Sequence, residues 1–158
     1  MTRPNDLSAT EARKLIGNKQ LSPLELTKSC IDQVERYNPS INAVVAINHE
    51  DVLKEAKKAE DDVMAGKELG LLHGLPVGIK DLNPVKDLRS TSGSKLFENR
   101  IPDYDDSVVA DIRAEGGIVF CKTNTPEFGA GANTKNKVYG ATCNPFDLTK
   151  IPAGSSGG

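Results

Sequence analysis

Along the first third of the chain, apolar residues recur at the three-to-four spacing of a helix face. After Ser22, Leu24, Thr27, Ile31 and Val34 keep that spacing. Val52, Leu53, Ala56, Ala59 and Val63 keep it within "EDVLKEAKKAEDDVMAG". One apolar stripe with charge on the opposite side predicts helices that bury a single face. The starts are marked too. "SATE" (Ser8 to Glu11) and "SPLE" (Ser22 to Glu25) both fit the capping box, in which a Ser hydroxyl and a Glu carboxylate satisfy exposed backbone N–H groups reciprocally. Pro23 sits at a first helical position, where its missing N–H costs nothing. Gly66 is the predicted stop of the third helix. Residues 1–68 are thus read as helical packing with solvated charged faces, and no chemistry is visible in them.

The pattern changes near Gly70. "LHGLPVGIKD" is a short apolar run, broken by Gly and Pro, that ends on Lys80 and Asp81. It predicts a buried strand delivering its last residues to a sheet edge. "DDSVVADIRAEGG" predicts a helix with Asp106 or Ser107 as N-cap, Val108, Val109 and Ile112 on one face, and Gly116 closing it. "IVFC" is a second buried strand. Strand, loop, helix, strand is the rhythm of an α/β unit with a largely parallel sheet. From Gly129 to Gly158 the chain is mostly Gly, Asn, Pro, Thr and Ser, and a loop-rich stretch of that length points to function or disorder.

Composition narrows the function classes. Aromatics are 4% with no Trp, which argues against stacking platforms for single-stranded nucleic acid. The net charge of −2 hides no long basic run, so nucleic-acid binding through phosphates is not expected. No apolar stretch approaches the roughly 20 residues that span a bilayer, and no apolar secretory signal opens the chain. Cys30, Cys121 and Cys143 are odd in number and far apart, the pattern of reduced cysteines in a cytoplasmic protein. His49 and His73 lie far from any second metal ligand, so neither metal nor cofactor is expected.

Three patterns could carry chemistry. Lys80 closes an apolar run, and burying an ammonium is costly unless it is paired or neutral. A free lysine has a pKa near 10.4, so at pH 7 only about one in 2,500 is a neutral base, but desolvation raises that fraction. The alternative is a Lys80 that reaches the surface or pairs with Asp81. "GSSGG" (Gly154 to Gly158) is either a linker or a loop whose glycines allow the tight backbone that fixes a hydroxyl beside a base. "SGSK" (Ser92 to Lys95) matches the S-x-x-K of penicillin-recognising enzymes, but "RSTSGS" is turn-like and no S-D-N element follows. A Ser–His–Asp triad on His73 lacks its G-x-S-x-G elbow.

Read in order, "LHGLPVGIKDL", "STSGS", "DDSVVADIRAEGGIVFCKTNTPEFG", "YGATCNPFD" and "PAGSSGG" resemble the amidase signature family of hydrolases. "LSPLELTKSCIDQVERYNPSINAVV" is similar to that family's lead-in. The resemblance implies an α/β/α sandwich with a mixed central sheet, preceded by N-terminal helices. Residues 1–158 would form one incomplete amidase domain, 1–68 the lead-in and 69–158 the start of the catalytic core. It implies hydrolysis of carbon–nitrogen amide bonds in a small-molecule substrate by a Ser–cis-Ser–Lys triad. Lys80 matches the catalytic lysine, and Ser155 the bridging serine held after a cis peptide bond. Gly129, Ala130 and Gly131, together with Ser156, would line the substrate side; loop geometry is the other reading of those glycines.

The same resemblance places the nucleophilic serine and the oxyanion-hole N–H groups shortly beyond the glycine-rich block. The 158 residues are therefore expected to be inactive alone, and to be oligomeric or aggregation-prone through unpaired strand edges. A glutaminase-type A subunit of an aminoacyl-tRNA amidotransferase is the alternative within the family. A non-catalytic truncated paralogue acting as a binding module is the alternative of a different functional class. Two departures are visible. Ala153 stands where the family usually has glycine, tolerable unless positive φ is required, and Cys121 replaces a glycine as a small buried residue.

Overall fold

The computed structural model describes residues 3–157; Gly158, the last glycine of the "GSSGG" block, lies outside the described residues, as do Met1 and Thr2. Helix α1 (Ala9–Gly17) starts at a complete capping box, Ser8 accepting from the Glu11 N–H while Glu11 accepts from the Ser8 N–H at 3.0 Å. Helix α2 (Pro23–Ile41) starts on Ser22, which accepts from the N–H groups of Leu24 and Glu25 at 3.0 and 3.2 Å. The reciprocal half expected from Glu25 is replaced: the Ser22 hydroxyl donates instead to Glu60 of the next helix. That carboxylate therefore joins two helices rather than closing one box, and its pKa is lowered by Lys57 and by Ser22.

Asn38 turns the chain out of α2. Its side-chain oxygen accepts from the N–H groups of Ala43 and Val44, and its amide donates to the Val44 carbonyl, each at 2.8 Å. Strand β1 (Val44–Ala46) follows, a strand inside the segment that periodicity assigns to helices. Helix α3 (His49–Met64) buries Val52, Ala56, Ala59 and Val63, and Gly66 closes it at φ 70°. Strand β2 (Pro76–Lys80), helix α4 (Ser107–Ala114) and strand β3 (Ile118–Thr123) follow as predicted, with Asp106 capping α4. Gly116 ends α4 at φ 77°, where an added Cβ would lie 2.7 Å from His73 Nδ1, so only glycine fits.

The sheet order is β1-β3-β2, with β2 parallel and β1 antiparallel to β3. The mixed sheet has helices on both faces. Ile31, Val52, Ala56 and Ala59 pack against Ile118 and Phe120 on one side. Val109 of α4, with Ile79 and Val85, packs against Val119 on the other. A third cluster, Ala12, Ile16, Leu21, Leu26, Val63 and Leu75, joins the lead-in helices to the start of β2. Fully burying a side chain such as Ile16 contributes about 2 kcal/mol. A two-stranded ladder, β4 (Lys135–Asn136) with β5 (Gly140–Ala141), lies within the loop-rich segment.

Candidate active site at the end of β2

Strand β2 carries Lys80 opposite Thr123 of β3, and the Asp81 N–H extends the pairing to the Thr123 carbonyl at 2.8 Å. Lys80 is half-buried and donates from Nζ to Ser155 Oγ at 3.0 Å. The Gly154–Ser155 peptide bond is cis. Ser155 is half-buried and Ser156 exposed. The fold thus joins a strand end and a glycine-rich loop through two side chains separated by 75 positions in sequence.

Lys80 does not reach Ser155 by pairing with Asp81. The Asp81 carboxylate, 0% exposed, is occupied by the turn after β2. It accepts from the Thr91 N–H at 3.0 and 3.2 Å, the Thr91 hydroxyl at 2.5 Å and the Gly93 N–H at 3.4 Å. Its charge partner is Lys122 of β3, also 0% exposed, at 3.9 Å. Lys122 donates to the Asn83 carbonyl. Burial pushes the Lys122 ammonium down to about 8, against the opposing pull of Asp81. Lys122 is therefore the more deeply buried lysine. It too ends an apolar run ("IVFCKT"), yet only Lys80 stands out in the sequence reading.

The loop bearing Ser155 is seated by close backbone approach. Thr134 donates from its N–H and its hydroxyl to the Ala153 carbonyl at 3.2 and 3.1 Å. A Cβ on Gly154 would lie 2.8 Å from the Ala132 carbonyl, and one on Gly157 would lie 1.8 Å from Thr134 Oγ1. Ala153, just before these glycines, sits at φ 69°. The position does require positive φ, so the alanine is strained there by about 1 kcal/mol.

The Thr134 carbonyl accepts in turn from the Thr142 N–H at 3.1 Å, and buried amides fix the loops around this pair. Asn136 donates to Asn124 Oδ1 and the Thr125 carbonyl, both at 2.8 Å, and accepts from the N–H groups of Val138 and Tyr139 at 2.9 and 2.7 Å. Asn124 donates onward to Thr142 Oγ1 at 2.9 Å, which donates to the Asn42 carbonyl at 2.7 Å. These residues carry no periodicity, and no local pattern in the sequence marks them.

Of the residues expected on the substrate side, Gly129 (φ 70°) has its Cα face against Leu82, where a Cβ would meet Cδ2 at 2.9 Å. The Gly131 carbonyl lies 3.0 Å from the corresponding point on Gly154, and Ala130 between them is exposed. The structure therefore brings this stretch beside both Leu82, just past Lys80, and the Ser155 loop. It does not bring Ser92 and Lys95 together: Lys95 pairs with Glu98 at 2.5 Å. Cys121 is buried, with its thiol pushed up to about 12 by that burial. Among the described residues no group of three or more His, Cys, Asp or Glu is placed to hold a metal ion, and no helix is long and apolar enough to cross a membrane. A cleft of about 600 Å³ between α3, the 85–88 turn and Arg113 is lined by none of these site residues.

The family model described as Amidase matches residues 25–158, and the chain belongs to the amidase signature family. It is 39% identical over 150 residues to the A subunit of the glutamyl-tRNA(Gln) amidotransferase of Clostridium botulinum (strain Alaska E43 / Type E3), covering 95% of this chain and 31% of that protein. To the same protein of Carboxydothermus hydrogenoformans it is 40% identical over 152 residues, covering 96% and 31%. A bacterial aryl acylamidase of the amidase signature family superposes with a TM-score of 0.88 at 33% identity, over 96% of this chain and 32% of that one. Fatty acid amide hydrolase gives a TM-score of 0.91 at 27% identity, over 98% and 27%. The chain thus spans about a third of the length of the proteins it matches.

Proposed function

We propose that these residues supply the base and the relay of an amide hydrolase. The observation that supports this reading most directly is the 3.0 Å contact between Lys80 Nζ and Ser155 Oγ. In the neutral form, the Lys80 amine accepts the Ser155 hydroxyl proton while Ser155 accepts the proton of a second, nucleophilic serine. The deprotonated oxygen attacks the amide carbonyl carbon, forming a C–O bond and an oxyanion. Collapse breaks the C–N bond, and the proton returns through Ser155 to the leaving nitrogen. Water then cleaves the acyl ester by the same route. Gly129, Ala130, Gly131 and Ser156 flank the pair and are assigned to the substrate side. The three free cysteines, Cys30, Cys121 and Cys143, favour a cytoplasmic setting.

The chain covers 31% of the relatives' length, and we propose that by itself it turns over no amide. In a polypeptide of family length that contains these residues, Lys80→Met and Ser155→Ala should each lower kcat/KM for a small amide by about 10³ or more. Retention of activity within tenfold would refute the assignment. A fluorophosphonate probe should leave Ser155 unlabelled; stoichiometric labelling lost in Ser155→Ala would make it the nucleophile instead. The 39% identity to an amidotransferase of this kind favours a second reading, release of ammonia from glutamine for a partner enzyme. Glutamine hydrolysis that rises when partner proteins are added would select it.

A further inference from the structure

We propose that Asp81 is the positioning residue of the Lys80–Ser155 pair, setting the lysine through the strand and the serine through a chain of loop contacts. The inference rests on the reading of Lys80 and Ser155 as base and relay. On the lysine side the connection is covalent: Asp81 follows Lys80, its N–H is fixed to the Thr123 carbonyl at 2.8 Å, and its carboxylate is fixed by Thr91 and Gly93. The end of β2 therefore cannot rotate without breaking a buried carboxylate away from its donors.

On the serine side the connection passes through space. Asp81 holds the Thr91–Gly93 turn in a left-handed bend, with Ser92 at φ 54° and Gly93 at φ 64°. That turn holds the next loop: the Ser92 carbonyl accepts from the Phe128 N–H at 2.8 Å, and Ser94 Oγ donates to Glu127 at 2.7 Å. The loop continues into Gly131, whose carbonyl touches the face of Gly154, the residue joined to Ser155. Lys122 supplies the opposite charge from the neighbouring strand at 3.9 Å, so the carboxylate stays in place without drawing on Lys80. A single carboxylate thereby sets both partners, and Lys80 is left free to face Ser155.

Trace acetylation of the folded 158-residue chain with acetic anhydride, quantified by peptide mass spectrometry, tests this without any turnover. The readout is the labelling rate of Lys80 relative to the exposed Lys54. Asp81→Asn should raise that ratio by about threefold or more, as the end of β2 loosens and Lys80 leaves Ser155 for solvent. Thr91→Val, which removes one donor to the carboxylate and the acceptor of the Gly93 N–H at 3.0 Å, should raise it less and in the same direction, and it decides the matter alone if Asp81→Asn does not fold. Ile16→Ala, a core truncation in the lead-in cluster, should leave the ratio unchanged although it destabilises the fold. An unchanged ratio in both Asp81→Asn and Thr91→Val, or an equal rise in Ile16→Ala, would overturn the proposal. Because no hydrolysis is measured, a failure of the amidase reading in a polypeptide of family length would leave this result standing.

Discussion

The lead-in helices and the loop-rich segment after β3 hold together by different means. From Ala12 to Leu75 the contacts are aliphatic, drawn from helix faces and the start of a strand, and the ion pairs, such as Lys57 with Glu60 and Asp61, lie at the surface. From Asn124 to Thr142 the buried polar side chains are Asn124, Thr125, Thr134, Asn136 and Thr142, each placed by hydrogen bonds. Apolar contact has no direction, so a helix face accepts a substitute of similar volume. A buried amide accepts only partners of the right polarity at the right angle, so it fixes geometry where area alone cannot. The Ser155 loop is seated on the second kind of region, which is what a distance as specific as that from Lys80 requires.

Same-shape substitutions separate the two most widely. Asn136→Asp replaces the amide donor facing Asn124 Oδ1 and the Thr125 carbonyl with a buried carboxylate oxygen. It should destabilise by about 3 kcal/mol or more. Leu26→Met, in the lead-in cluster, should cost about 1 kcal/mol or less. Equal shifts in the urea midpoint would dissolve the distinction.

A second contrast lies within β3, where two adjacent residues carry opposing pH dependences. The folded Lys122 titrates near 8, below its unfolded value, so the unfolded chain binds the extra proton between about 8 and 10.4. That group makes stability rise with pH across the window. Cys121, pushed up to about 12, is still protonated in the fold when the unfolded thiol has ionised, so it makes stability fall over the window from about 8.5 to 12. The two nearly cancel where the windows overlap. Cys121→Ala should therefore give a stability that climbs between about pH 8 and 10.4, and Lys122→Met one that declines, each by up to about 3 kcal/mol. Parallel urea-midpoint profiles for the two variants would contradict the assignment. The smallest change expected is at Ala153: Ala153→Gly should stabilise by about 1 kcal/mol through relief of its positive φ. A melting temperature that drops in this variant would show that the alanine methyl is needed.

Helices α1 to α4 and strands β2 and β3 are legible in the sequence because each carries a local signal, a cap or a repeated period. Strand β1 is not, because Val44–Ala46 is short and its pairing is decided by β3, which lies far along the chain. At the site, Lys80 is legible from its place at the end of an apolar run, whereas Ser155 becomes readable only through the family resemblance. Lys122 also ends an apolar run and is buried more deeply than Lys80, so the same signal was there to mark it. Asp81 as a positioning group, Thr91, Asn124 and Asn136 are illegible for a common reason. Their roles depend on which backbone groups the folded loops present to them, and no local pattern encodes that.

Asn42 ends α2 in the left-handed region at φ 53° and donates to the carbonyls of Tyr139 and Ala141 at 2.7 and 3.1 Å. With the Thr142 hydroxyl on its own carbonyl, the contact spans 100 positions. Closing a loop of that length costs about 4 kcal/mol of chain entropy. The helix end must therefore exist before the distant segment has anything to bind. Residues 139–142 are consequently expected to be the last to gain protection during synthesis and refolding, with Asn42 acting as the dock that waits for them.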